Sequence, residues 1–212
     1  PEREDLAQLM RQALADESVP ELEGWETLLA AIDPPSKREV VDEAILDIVR
    51  RHQPRRVLDF GCGHGRVAAA LAADGIDVVA FDPDHTLQDR WRMLASGDGS
   101  QVRWLTGAPD YALAEFSGEF DLVVCSLVLC VIEGEPEYVG ALRAISRSLS
   151  PTGRYVILVC NPAATLAGDS TLQRRLVPPD AASERTFTWA KQLPSGSRRP
   201  DVHRPLSKVQ AD

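Results

Sequence analysis

The chain opens with apolar residues at helical spacing and then changes to short runs that are apolar throughout. Leu6, Leu9, Met10 and Leu14 share one face of a predicted helix from Glu4 to Ala15, which Pro20 closes off. A short helix around Trp25 to Ile32 follows and stops at Pro34-Pro35. Ser36, with Glu39 three residues later, forms a capping box for a third helix, Lys37 to His52. Its Val40, Val41, Ala44, Ile45, Ile48 and Val49 are expected to be buried. From Pro54 the period changes. Five runs read as buried strands: Arg56 to Phe60, Ile76 to Phe81, Gln101 to Leu105, Phe120 to Cys125 and Arg154 to Cys160. Between them lie predicted helices His64 to Asp74, Thr86 to Ala95, Pro109 to Phe116 and Glu137 to Leu149. The last carries Val139, Leu142, Ile145 and Leu149 on one face, and Pro151-Thr152-Gly153 reads as the turn before the fifth strand.

Strands that alternate with helices imply right-handed crossovers and a parallel sheet. Strands that are apolar along their whole length imply that both faces of that sheet are covered. The fold class is therefore α/β, a Rossmann-like sheet with helices on both faces. After Asn161-Pro162 the pattern weakens: Ala163 to Leu176 reads as a helix, Thr186 to Lys191 as a strand, and Ser195 to Arg199 as a polar loop closed by Pro200.

The first strand leads into Val57-Leu58-Asp59-Phe60-Gly61-Cys62-Gly63-His64-Gly65-Arg66. Glycines here let the chain turn sharply from strand to helix and let a ligand approach the backbone. A glycine loop alone is a weak signal. The context strengthens it, because Asp82 stands at the end of the next strand, 21 residues after Gly61. An acid at that place can accept both hydroxyls of a ribose. A dinucleotide fingerprint wants glycine or alanine where Arg66 stands. An acid such as Asp59 beside the loop would repel a pyrophosphate and attract an ammonium or sulfonium group. The residues thus favour S-adenosylmethionine (AdoMet) over NAD or FAD, and over a strand-turn-helix that binds nothing.

The segment resembles motif I of the class I AdoMet-dependent methyltransferases, through Asp59, Gly61, Gly63 and Gly65 after a hydrophobic pair. Asp82 matches that family's ribose-binding acid, Phe120 to Val124 its fourth-strand motif, and Ser150 to Gly153 the turn before its fifth strand. The resemblance spans roughly residues 37–160 and is similar to the small-molecule, ubiquinone-pathway-like branch. It implies that Asp59, Gly61, Cys62, Gly63, Gly65 and Asp82 contact the cofactor and that Pro83 and Asp84 flank its adenosine. It also implies that Gly107 and Ala108 lie near the adenine and that Cys125 and Ser126 line the methionine part. The family's usual acid after the third strand is replaced by Ala108, which leaves Asp110 or backbone groups for the adenine. A histidine common in the family is absent where Cys130 and Val131 stand. The family's sheet ends in an antiparallel hairpin, and too little chain remains after Leu206 to form it. The hairpin is therefore expected to be incomplete: the chain is cut short, the fold is minimal, or a partner supplies the missing edge.

AdoMet carries its own activated methyl group, so a base is needed only to take a proton from a hydroxyl acceptor. Of the four histidines, His203 and His64 are the candidates; His52 ends a surface helix and His85 opens the next one. Trp189 and Lys191 fall where an acceptor pocket would be shaped. Composition narrows the rest. With 44% hydrophobic and 26% charged residues, the chain is of ordinary globular make-up. No apolar run reaches the length of a membrane helix, and the acidic start is unlike a signal peptide. Cys62, Cys125, Cys130 and Cys160 have neither metal-ligand spacing nor a paired framework, so no metal site is expected and the thiols suit the cytoplasm. The net charge is −9, yet residues 171–210 carry 8 bases and 3 acids. That basic tail opens an RNA alternative.

The expected organisation is an N-terminal helical cap over 1–36, a cofactor-binding core over 37–162, and an acceptor-side insertion with the basic tail over 163–212. The expected activity is methyl transfer from AdoMet to an O or N atom of a small molecule. RNA or nucleotide methylation, or a non-catalytic AdoMet-binding subunit, remain open as alternatives, and a partner chain or dimer is compatible with all of them.

Overall fold

The computed structural model describes residues 38–88, 91, 102–159, 187–192 and 198–204; for 38, 39, 187–192, 198–201 and 203 it describes the backbone alone. The two helices expected before Pro34, the 1–36 cap, the Ala163-to-Leu176 helix and most of the basic tail lie outside the described residues. A π-helical turn, Arg38–Asp42, leads into α1, Glu43–His52. Then come β1 (Arg56–Phe60), α2 (Arg66–Ala73), β2 (Asp77–Phe81), a single 3-10 turn (His85–Leu87) and β3 (Val102–Leu105). They are followed by α3 (Pro109–Ala112), a second 3-10 turn (Ala114–Phe116), β4 (Phe120–Ser126), α4 (Glu135–Ser148) and β5 (Leu149–Leu158). β6 (Phe187–Gln192) and β7 (Arg198–His203) complete the order.

Five strands form one parallel sheet in the order β3-β2-β1-β4-β5, as the alternation of elements requires. The chain runs outward from β1 to β3 and then returns to the other side of β1. The reversal places a switch point between β1 and β4, where open α/β sheets hold their ligands at the carboxyl ends of the strands. β1 and β2 are buried from their second residue onward, and their side chains Val57, Val78 and Ala80 join Leu122 and Val124 in the core. Ile45, Leu46 and Val49 of α1 and Ala68 and Leu71 of α2 cover that face.

Several expected elements are corrected in detail. The buried arc of α1 is Ile45, Leu46 and Val49, whereas Val40 is 68% exposed, Ile48 is 38% exposed and Ala44 also faces solvent. The apolar positions in the sequence span two adjacent stripes, and a helix lying on one layer covers only one of them. The inner stripe also holds a polar residue, Asp42, whose carboxylate accepts from Arg66 Nε at 3.0 Å. The helix expected from His64 begins two residues later. Gly65 has a left-handed φ of 75°, so His64 and Gly65 belong to the turn. In α4 the buried set is Tyr138, Ala141, Ala144, Ile145 and Ser148. Of the expected face, Val139 and Leu142 are half-buried and Leu149 already belongs to β5.

The turn expected before the fifth strand lies inside β5. Phe120 pairs with Leu149 and Leu122 with Arg154, so Ser150 to Gly153 bulge out between them. Gly153 is required there, because a Cβ at that position would stand 2.7 Å from the Phe120 carbonyl oxygen. On the C-terminal side one strand, Thr186 to Lys191, is expected from the sequence; the structure has two, and neither joins the parallel sheet. β6 pairs antiparallel with β7, Phe187 opposite His203 through Gln192 opposite Arg198, as a separate two-stranded sheet. Residues 198–200, expected in a polar loop and its closing proline, belong to β7. A two-stranded ribbon has only edges, where a proline's missing N–H costs no ladder bond.

By their contacts the described residues fall into two compact units. One holds those up to Val128 and those from Val139 to Leu158, and so contains the whole parallel sheet. The other joins Leu129–Tyr138 to the hairpin. Within the second unit the Val202 N–H donates to the Cys130 carbonyl at 2.7 Å. The buried Arg204 donates from Nη1 to the Leu129 carbonyl at 3.0 Å and from Nη2 to that of Ile132 at 2.9 Å. Its guanidinium lies 3.9 Å from the centre of the Tyr138 ring. Among the described residues, no helix is long and apolar enough to cross a membrane.

Candidate functional site

β1 carries Asp59 at the centre of the sheet, in register with Ala80 on one side and Val124 on the other. Its side chain is only 3% exposed, and its Oδ2 has no hydrogen-bond partner. Burial, with the Asp82 charge adding to it, pushes the Asp59 carboxyl up to about 7, against a single backbone N–H bond from Ala68 that pulls it down. A buried carboxyl without its full set of partners is costly in a structural role and is characteristic of a site that meets a ligand.

The chain then winds tightly around the end of β2. The N–H groups of Gly61 and Cys62 both donate to the Phe81 carbonyl, at 2.7 and 2.9 Å. Gly63 N–H donates to Asp82 Oδ2 at 2.9 Å, and Gly65 N–H to the Cys62 carbonyl at 2.9 Å. Gly61, Gly63 and Gly65 all have positive φ, which is why the sequence places glycine at each. A Cβ at Gly61 would fall 2.1 Å from Val128 Cγ2, so the loops after β1 and β4 are in contact at the switch point. With these amides engaged inside the protein, the loop is poorly suited to cradle a pyrophosphate.

Asp82 follows β2 directly, its N–H donating to the Leu105 carbonyl at 3.1 Å. Its Oδ1 accepts from Asp84 N–H at 3.0 Å and its Oδ2 from Gly63, so each oxygen keeps a lone pair for a ligand hydroxyl. Desolvation raises this carboxyl, and the two N–H bonds oppose the rise. Asp84 itself caps the next turn through Thr86, and the Pro83 carbonyl accepts from Thr106 Oγ1 at 3.4 Å. Gly107 (φ 111°) and the exposed Ala108 lead into α3. Asp110 is paired with Arg147 at 3.4 Å. At the end of β4, Cys125 is buried and Ser126 half-buried. Leu127 follows with a φ of 60°, unusual for a residue with a side chain, and donates its N–H to the Leu158 carbonyl at 2.8 Å.

The structure therefore gathers Asp59, Gly61, Cys62, Gly63, Gly65 and Asp82 around one loop, with Pro83 next to them in the chain. Cys125 and Ser126 lie at the end of the neighbouring β4. Of the proposed bases, His64 is a half-buried member of the loop, while His203 ends β7 and its side chain lies outside the described residues, as do those of Trp189 and Lys191. Sequence reasoning missed Trp91, whose indole Nε1 donates to the Gly63 carbonyl at 2.8 Å, and Val128, which packs on Gly61. Neither belongs to a local pattern; both become visible only when the chain folds back on the loop.

A parallel sheet whose strand order reverses beside a glycine loop and two acids defines a doubly wound α/β domain, a class that takes its ligands at the switch point. Residues 57–153 match a family model described as a methyltransferase domain. That segment, a little under half of the chain, is what is similar to the methyltransferase-domain family. The ubiquinone biosynthesis O-methyltransferase of Xylella fastidiosa is 33% identical over 119 residues, which cover 55% of this chain and 47% of that protein. The chain thus spans about half the length of the curated relatives it matches. Two solved structures share the fold. The CcbJ methyltransferase from Streptomyces caelestis has a TM-score of 0.58 at 22% identity, covering 92% of this chain and 80% of that one. The 1,6-didemethyltoxoflavin-N1-methyltransferase of Burkholderia thailandensis, solved with 1,6-didemethyltoxoflavin and S-adenosylhomocysteine bound, has a TM-score of 0.57 at 19% identity, covering 98% of this chain and 75% of that one.

Proposed function

We propose that this protein is an AdoMet-dependent methyltransferase acting on an O or N atom of a small molecule. The observation that carries the proposal is the buried Asp59, with an oxygen that has no partner, beside Asp82 at the switch point. Two acids there fit a ligand that is both cationic and ribose-bearing, and they disfavour a pyrophosphate. When bound, AdoMet supplies an activated methyl group. The protein's own residues bind and orient. Asp82 accepts the ribose hydroxyls with its remaining lone pairs, and Asp59 lends negative charge to the ammonium end. Gly61, Cys62, Gly63 and Gly65 form the surface on which the cofactor lies. Pro83, Gly107 and Ala108 border the adenosine, and Cys125 and Ser126 the methionine chain. Positioning of this kind supplies much of the rate of a bimolecular transfer. An amine acceptor bound in neutral form needs no base; for a hydroxyl acceptor, His64 and His203 are the residues proposed to take the proton.

The small-molecule reading rests on the relatives' printed activities, an O-methyltransferase of ubiquinone biosynthesis and an N-methyltransferase crystallised with 1,6-didemethyltoxoflavin. The RNA alternative rests on residues 171–210, which lie mostly outside the described residues. A cytoplasmic location is supported by Cys62, Cys125 and Cys130 being thiols. The test is calorimetry with S-adenosylhomocysteine. Micromolar-range binding by the parent chain and its loss in Asp82→Ala are expected. Unchanged affinity in that variant would remove Asp82 from the ribose role.

A further inference from the structure

Gly63 is pinned from two directions. Its N–H is taken by Asp82, and its carbonyl by the Trp91 indole. It has a φ of 53° and no side chain of its own, so hydrogen bonds select the orientation of the peptides on either side: Asp82 and the Gly65 N–H hold the one before it, and Trp91, with a longer contact from Cys62 Sγ at 3.9 Å, the one after it. One of the two bonds comes from Asp82, the acid assigned to the ribose. The other comes from a tryptophan that is only 2% exposed and cannot reach a ligand through its ring N–H, because that N–H is already used.

Trp91 is in turn held by a ring. It stacks on Trp104 of β3 with centroids 5.3 Å apart and planes 13° from parallel. Trp104 stands opposite Ala80 of β2, one residue before Phe81, whose carbonyl receives the Gly61 and Cys62 amides. The Trp104 Nε1 is buried and has no hydrogen-bond partner, so Trp104 contributes a face and no polar bond. The two indoles thus have separate tasks: one provides a platform, the other a single directed N–H.

We propose that Trp91 is a positioning residue for the cofactor: through its bond to Gly63 it sets the glycine loop, and with it the Asp82 carboxylate, in the geometry that AdoMet requires. The proposal rests on the cofactor reading given above. Phenylalanine at 91 keeps the stack and removes the donor. Losing one net hydrogen bond from a preorganised loop corresponds to about a five- to tenfold weaker affinity.

The experiment measures S-adenosylhomocysteine binding by calorimetry in the parent chain, Trp91→Phe and Trp104→Phe, together with near-ultraviolet circular dichroism. Stacked indoles give a coupled signal, so both variants should lose it. Only Trp91→Phe should lose affinity. Replacing Trp91 by benzothienylalanine, which keeps the fused ring and lacks the N–H, should reproduce the loss and covers the case in which Trp91→Phe folds poorly. Equal affinity in the parent and the benzothienyl protein overturns the proposal, as does an equal loss in Trp104→Phe, which would make the pair a structural stack only. If the parent chain itself does not bind, the cofactor reading falls first and this inference falls with it.

Discussion

Replacing Asp59 by asparagine should stabilise the protein while impairing it. The Asp59 carboxyl titrates at about 7 in the folded chain against an ordinary 3.8. A difference of about three units corresponds to about 4 kcal/mol at roughly 1.4 kcal/mol per unit, by which the ionised form disfavours folding. The sign follows from proton counting. Between pH 4 and 7 the folded state holds a proton that the unfolded state has released. The contribution of Asp59 to stability therefore falls as pH rises through that window and is flat above it. Asparagine removes the charge but leaves an amide N–H without an acceptor, which takes back about 1–2 kcal/mol. The net expectation at pH 8 is a gain of about 2 kcal/mol, or roughly 4–8 °C in melting temperature for a chain of this size. Urea unfolding of parent and variant between pH 4 and 9 measures it. The variant should be about 1–2 kcal/mol the less stable near pH 4, gain on the parent as pH rises to 7, and keep a constant advantage above that. A gap that does not change with pH, or a variant less stable at pH 8, would show that Asp59 serves the fold and refute the assignment. The same ionisation predicts that S-adenosylhomocysteine binds more tightly as pH rises towards 7, and that Asp59→Asn loses this dependence.

Two further substitutions follow from packing. Gly61→Ala sets a methyl group against Val128 at a position with positive φ, and should cost about 2–4 kcal/mol and abolish cofactor binding. Val128→Ala in the same chain should restore part of both, as a double-mutant cycle would measure. Arg204→Met leaves the Leu129 and Ile132 carbonyls without their buried donor, at about 2–4 kcal/mol. Hydrogen exchange should read this as lost protection of the Val202 amide, with the amides of β1 and β2 unaffected.

The sheet was legible in the sequence because a strand buried on both faces has no choice of composition. Four of the five runs agree with the structure to within one residue at each end, the fifth begins five residues earlier than expected, and the loop with Asp59 and Asp82 stands out from glycine and acid spacing. The errors share a cause. Local pattern says that a residue is apolar, and only the packed neighbour decides whether Val40 or Leu46 is covered. The turn at Pro151-Thr152-Gly153 became a bulge because Leu149 had already found Phe120. Residues 198–200 read as loop because of Pro200, yet a strand needs its proline's N–H only when a neighbour lies on that side. Trp91 carries no signal along the chain, since its partner Gly63 is local only in space.

The clasp made by Arg204 also has a bearing on the order of synthesis. The parallel sheet is complete once Leu158 has emerged, and it can form as a unit while the later residues are still being added. The Leu129–Tyr138 segment is made earlier than Arg204, which supplies the donors for the carbonyls of Leu129 and Ile132. During translation the glycine loop can thus form before the contacts between this segment and the hairpin are made.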